Sequence, residues 1–375
     1  MQKNHYYSAW KSGPSVDSAF FPIAVWYQAP NRAAAYKACG INMYISPDVA
    51  VSDLTTFKNA GISVICPFKK ELRDAPDGKV IVGWLHQDEP DLAQDNGRGG
   101  HGPCIDPAVI QDLYRQWRTA DPSRPVLLGL SEAVAYHYSR SRGLACFGRT
   151  EMYPRYLSGC DIVAFDIYPC AFCRGPFGEK LEYVGKGVDN LFKWSGGRKP
   201  VFADIETGPI YTTSQPGCGA GPAQVRSEVW LALIHEAAGI QYFCHQMETP
   251  FVEARWLADP PMKAAITAIN LEIIRLAPVL NSPTLQTGVR ISAPKAACAR
   301  VMVKKHTGDV YLFVAHERDV AGVDSISVRE FPLSGRAEVL GEDRTIVIEK
   351  GILVDGFSGY GVHLYRIAGN RSSGP

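Results

Sequence analysis

Residues 80–91 read VIVGWLHQDEPD. The stretch begins with apolar, strand-forming residues and turns polar at His86, Gln87, Asp88 and Glu89. Pro90 then stops it, because proline has no N–H with which to prolong a ladder. A run that is apolar on both alternating faces belongs to a strand covered on both sides, the habit of a parallel sheet layered with helices. Its polar end marks where the strand leaves that cover. Seven more runs of similar texture occur, at 20–26, 41–47, 63–68, 125–130, 161–168, 201–206 and 239–246, so that 80–89 is the fourth of eight.

Between these runs the apolar period changes to that of a helix. Ile110, Leu113 and Trp117 share one face, as do Val225, Val229 and Leu233, and also Met262, Ile266, Ile269 and Ile273. Stops follow in step: Gly40, Gly61, Asp121-Pro122 and Gly239. Alternation of strand, helix and stop over about 260 residues is the size and rhythm of a (β/α)8 TIM barrel. A doubly wound open sheet is the alternative, but the glycine cluster at 97–102 has neither a P-loop Lys-Ser/Thr nor a GxGxxG pattern and reads as a βα loop. After Leu276-Ala277-Pro278 the texture shifts to short alternating runs at 300–305, 310–316, 324–329, 345–349 and 362–367. The expected fold class is therefore α/β, a (β/α)8 barrel over 1–278 followed by a small antiparallel β-sandwich over 279–369, with a tail at 370–375.

The chain has 375 residues, 46% hydrophobic and 21% charged, with 39 Lys and Arg against 38 Asp and Glu. A formal charge of +1 leaves no basic surplus to neutralise a phosphate backbone, which argues against nucleic acid as a partner. No apolar run reaches the roughly 20 residues that span a bilayer, so no membrane partner is expected. The polar start Met1-Gln2-Lys3-Asn4-His5 has no signal-peptide core. Secretion or a periplasmic location is expected if an export signal has been removed, with the cytoplasm as the alternative. Ten cysteines in a chain of this length point to packed thiols with one or two accessory bridges. Cys170 and Cys173 have CxxC spacing but no second pair, which favours a loop thiol pair or a local disulfide over a metal or redox centre.

In a (β/α)8 barrel the active site lies at the C-terminal ends of the strands. The fourth run ends in Glu89 and the seventh in Glu206, so two carboxylates are expected to enter one cavity. Glycoside cleavage needs such a pair, one protonated beside the leaving oxygen and one ionised beside the anomeric carbon. Asp88 next to Glu89 adds negative charge that holds a proton on the acid.

The barrel, Glu89 before Pro90, Glu206 closing the seventh strand and the trailing sandwich together resemble the clan A retaining glycoside hydrolases, the "four-seven" superfamily. The resemblance implies Glu89 as acid/base and Glu206 as nucleophile. It also implies a nucleophile contact for Tyr168, in Phe165-Asp166-Ile167-Tyr168-Pro169. Asp88 stands where the superfamily has an Asn, and the eighth strand ends Phe243-Cys244-His245-Gln246 where the superfamily has a Trp. Trp256, in the next loop, is the candidate replacement for that sugar-stacking ring.

Other candidate sugar contacts are Trp26, His86, Gln87, Asp166, Asp204, His245 and Gln246, all near strand ends; Trp84 reads as core. A metal set of His86, Asp88 and His101 lacks HxH or HExxH spacing, so neither metal nor cofactor is expected. The expected function is hydrolysis of a β-linked oligo- or polysaccharide by double displacement. A non-catalytic carbohydrate-binding barrel and a metal-dependent barrel hydrolase are the rivals.

Overall fold

A computed structural model of the chain describes residues 3–140, 142–286, 288–329 and 331–369. The expected tail at 370–375 lies outside the described residues. Eight parallel strands close into a barrel in sequence order: β1 (Ile23–Trp26), β2 (Met43–Ile45), β3 (Ser63–Cys66), β4 (Ile81–Leu85), β5 (Val126–Leu130), β6 (Ile162–Asp166), β7 (Val201–Glu206) and β8 (Gly239–Phe243). Their helices are α1 (Ala33–Ala38), α2 (Asp53–Ala60), α3 (Lys70–Arg73), α4 (Pro107–Ala120), α5 (Tyr153–Leu157), α6 (Glu182–Trp194), α7 (Pro222–Ile234) and α8 (Pro260–Leu280). Closure removes the open-sheet alternative: β1 pairs with both β2 and β8.

Each strand alternates between two cores. Ala24, Ile45, Ile65, Leu85, Leu127, Ala164 and Phe202 fill the barrel interior, while Val25, Tyr44, Trp84, Leu128, Phe165 and Ala203 pack outward against the helices. Tyr7, Trp10 and Phe20 join the inner cluster from the N-terminal segment. That segment sits at the end opposite the strand C-termini, because Ser12 N–H donates to Ser123 O just before β5, at 2.9 Å. Helix ends carry the capping chemistry their sequences specify. The Asp106 carboxylate accepts from Ala108 N–H ahead of Pro107, Asp259 does the same for Met262 ahead of Pro260, and Gly61 closes α2 at φ +64°.

The change of texture near Pro278 falls in the last turn of α8, and the first strand beyond it begins at Val289. The second domain contains β9 (Val289–Ser292), β10 (Ala299–His306), β11 (Asp309–His316), β12 (Gly322–Val328), β13 (Ser334–Val339), β14 (Arg344–Glu349), β15 (Ile352–Phe357) and β16 (Val362–Ile367). All pairings are antiparallel, in the order β10-β11-β16-β13-β14-β15-β12-β9. Folded over as a sandwich, this sheet buries Leu312, Val314, Ile326 and Tyr365 between its layers and turns Met302, Phe313 and Leu364 toward the barrel. There Phe313 stacks on Trp230 of α7 with ring centroids 5.6 Å apart. Helix α7 is thus covered on both sides, and Glu228 in its middle is fully buried.

Candidate active site

The fourth strand ends earlier than its sequence indicates. Ladder geometry stops at Leu85, and residues 86–89 form a bulged extension along β5, with His86 N–H donating to Leu127 O at 2.9 Å and Glu89 N–H to Gly129 O at 3.2 Å. Glu89 adopts φ +45°, a left-handed conformation costing an ordinary residue on the order of 1–2 kcal/mol. Its surroundings hold it there. The buried Asp91 carboxylate accepts from Ser131 N–H at 3.0 Å, Ser131 Oγ at 2.8 Å and Tyr153 Oη at 3.2 Å, and Tyr156 Oη donates to Pro90 O at 3.1 Å. Gly129 leaves room for Asp88: a Cβ there would stand 3.0 Å from Asp88 Oδ1.

So placed, Glu89 borders a cavity of about 920 Å3 built by the loops after β4, β5, β6 and β7. One carboxylate oxygen from each of Glu89, Glu132 and Asp166 lies within 4.8 Å of the others. Glu132 opens a short 3-10 helix after β5, and Asp166 is the last residue of β6. Arg142 contacts Glu89, and the aromatic walls include Tyr136, Tyr168, Phe172, Phe177 and Tyr211. Asp204 of β7 is register-paired with Asp166 and accepts from Gln241 Nε2 at 2.7 Å.

Burial, with crowding second, raises proton affinities at this site. Burial, aided by Asp88 and opposed by Arg142, pushes Glu89 up to about 8. Asp88 is reached by solvent through the barrel mouth, yet the enclosing wall displaces enough water to push it up to about 6. Asp166 is driven well above the carboxylate range by burial and by Glu89, Glu132 and Asp204; Asp204 is raised by burial and by Asp88.

Glu206 does not border this cavity. It ends β7 as expected, but it is 0% exposed and its oxygens accept from Cys170 N–H and Ala171 N–H, each at 2.6 Å. One atom from each of Cys170, Glu206 and Glu228 lies within 4.8 Å of the others, a second titratable cluster sealed under the β6 loop. Burial pushes Glu206 up to about 8 against the pull of the backbone amides that favour its anion, and burial together with the neighbouring Glu206 drives Glu228 well above the carboxylate range. The expectation that Glu89 and Glu206 enter one cavity is therefore corrected: what faces Glu89 is Glu132 and Asp166.

Three other expectations are corrected by packing. His86 faces the helices, stacked on Trp117 at 4.7 Å and hydrogen-bonded to Gly159 O at 2.8 Å, so it is a core histidine that burial pulls down to about 4. Trp256 is fully buried outside the barrel, edge-on to Tyr36 at 5.2 Å with its Nε1 on Cys244 Sγ at 3.1 Å, and offers no face to a sugar. The left-handed turn at Glu89 breaks the alternation that would align Gln87 with it, and Gln87 instead donates to Gln94 Oε1 at 3.0 Å.

The remaining candidates stand around the mouth. Trp26 tops β1 against the inner core, and Tyr168 lines the cavity with its ring 5.1 Å from Phe243. His245 Nε2 approaches Tyr27 O at 3.0 Å, and Gln246 Nε2 donates to Pro250 O at 2.7 Å, shaping the loop after β8. Trp84 is core, its Nε1 donating to Asp121 at 3.1 Å. The disulfide joins Cys173 to Cys218, tying the β6 loop to the β7 loop, and Cys170 stays a buried thiol.

Glu132 was within reach of sequence reasoning, since it follows the fifth apolar run as Glu89 follows the fourth. Arg142 and the aromatic walls were not, because the long loop from Tyr136 to Phe147 has no period. Glu228 carries a signal in retrospect, an acid inside the apolar helix of α7.

No protein-family model matches the chain, and no curated protein matches it in sequence. Solved structures do match. The GH27 β-L-arabinopyranosidase Abp-WT from Geobacillus stearothermophilus aligns with TM-score 0.51 and 12% identity over 99% of this chain and 99% of that one. The α-amylase GTA from Geobacillus thermoleovorans, complexed with acarbose, aligns with TM-score 0.50 and 10% identity over 94% and 99%. A GH30 endoxylanase from Clostridium papyrosolvens C71 aligns with TM-score 0.48 and 8% identity over 93% and 96%. The first two alignments run through barrel and β-domain alike, so this chain has the two-domain fold of those glycoside hydrolases.

Proposed function

We propose that the protein is a glycoside hydrolase cleaving a β-linked oligo- or polysaccharide in the barrel mouth, with Glu89 as acid/base. The observation that carries this reading is the cluster of Glu89, Glu132 and Asp166 in an aromatic-walled cavity at the strand C-termini. Glu89, with its proton affinity raised, holds a proton near neutrality and donates it to the glycosidic oxygen. Asp166 attacks the anomeric carbon in its ionised form, after its proton has passed to solvent through the open cavity, and its spacing from Glu89 is nearer the roughly 5–5.5 Å of retaining enzymes than the roughly 6.5–9.5 Å of inverting ones. Glu89 then takes a proton from the water that releases the glycosyl-enzyme. Pyranose C–H faces pack on the aromatic walls.

A second reading keeps Glu206 as nucleophile. Its support is the position of Glu206 at the end of β7 and the two backbone amides that favour its anion. Trapping the glycosyl-enzyme with a fluorinated aryl glycoside, followed by peptide mass spectrometry, separates the two. A label on Asp166 supports the first reading and a label on Glu206 the second. Sugar binding without turnover or label across a broad glycan panel would make the protein a binding barrel and sink both.

A further inference from the structure

We infer that the sugar accepted at the point of cleavage carries a free ammonium group. The inference rests on the hydrolase reading of the mouth and names its substrate class. Two carboxyls suffice for glycoside cleavage. Here burial and then the charges of Asp88 and Glu132 raise the proton affinity of Glu89, burial and then Glu89, Glu132, Asp204 and Asp88 raise that of Asp166, burial and then Asp88 raise that of Asp204, and Arg142 is the cation that contacts Glu89. A neutral sugar leaves that repulsion in place.

A second observation comes from the inward-facing layer that Asp166 shares with β7 and β8. Asp166, Asp204 and Gln241 are register partners on β6, β7 and β8, and the alternation of each strand turns all three inward at the top of the barrel. Asp166 Oδ1, Asp204 Oδ1 and Gln241 Oε1 are buried with no donor among the described residues. Asp204 is only 9% exposed and Gln241 2%, so bulk water does not satisfy those two, while Asp166 opens onto the cavity. Three acceptors on one layer call for a group that donates several hydrogen bonds and accepts none. A hydroxyl brings one donor and two acceptor lone pairs; an alkylammonium brings three donors, no acceptor and a positive charge. Its arrival also offsets the repulsion among the acids, so that Glu89 keeps its proton while Asp166 is ionised for attack.

The test uses the full chain in EDTA. Aryl 2-amino-2-deoxy-β-glycosides of gluco, galacto and manno configuration are compared with their N-acetylated and 2-hydroxy counterparts by kcat/KM. Binding of glucosamine oligomers and N-acetylglucosamine oligomers is measured by calorimetry alongside. The expected result is at least a tenfold preference for one free-amine series, with Asp204→Asn raising KM for the amine more than for the neutral counterpart. Equal or faster turnover of neutral or acetylated sugars overturns the ammonium inference and leaves the hydrolase reading standing. No turnover of any glycoside, even with tenfold tighter binding of the amine, removes the hydrolase reading and overturns the inference with it. If Ca2+ raises the neutral substrates to the amine's rate, the acceptors hold a metal ion and the inference falls.

Discussion

Two clusters of three titratable groups lie near neighbouring strand ends and meet opposite fates. Glu89, Glu132 and Asp166 face an open cavity, whereas Cys170, Glu206 and Glu228 are sealed beneath the β6 loop. Both raise carboxyl proton affinities, and burial is the largest cause in each. A perturbed carboxyl is therefore not by itself a mark of the reacting group. The difference is access. The left-handed turn at Glu89 swings its side chain over the mouth, while Cys170 and Ala171 amides bind Glu206 from the side and α7 closes over it.

The contrast can be broken most directly at Glu89. Glu89→Gln should lower kcat/KM by about 10²–10⁴, the range of general acid catalysis, with no fall in melting temperature. The loss should be greatest for aryl glycosides with poor leaving groups, since these depend most on protonation. Near-parental activity on poor leaving groups would remove Glu89 from the chemistry.

Glu206→Ala should act first on stability. It leaves two buried N–H groups without their acceptor, at about 1–3 kcal/mol each, and Tm moves on the order of 2–4 °C per kcal/mol. A fall of several degrees is expected by calorimetry. Should the variant melt like its parent while losing all turnover, Glu206 belongs with the reacting groups, and the two clusters exchange roles.

The smallest effect concerns pH. Glu206 and Glu228 bind protons more tightly in the folded protein than in the unfolded chain, so their contribution is full below the ordinary carboxyl range near 4 and is lost as pH rises, through about 8 for Glu206. Glu228→Gln is neutral at every pH and still donates to Glu206. Its Tm should match the parent's at pH 4 and exceed it at pH 9. Glu89→Gln should show the same sign with a smaller size, because its side chain is 14% exposed and partly screened by water. Identical pH profiles for both variants would erase the distinction between open and sealed.

The barrel was legible because it is written in period. Apolar runs alternating with 3.6-residue stripes carry their own register, and Met262, Ile266, Ile269 and Ile273 are all buried in α8 as their spacing predicts. The second domain was legible in kind more than in count. Its edge strand β9, the Gly335-containing β13 and β15 are half exposed and carry too weak an alternation to announce themselves.

What the sequence determined by itself was the order of elements, the closure-sized repeat and the presence of acids where strands end. These follow from local patterning, since each apolar face has one way to be buried. Only the tertiary structure decided which acids meet. Once the ladder stops, strand parity no longer aims a side chain, and the direction is set by backbone turns and by groups from distant segments. Gly129 and Ser131 seat the Glu89 loop, the amides of residues 170 and 171 capture Glu206, and the sandwich presses α7 down over Glu228.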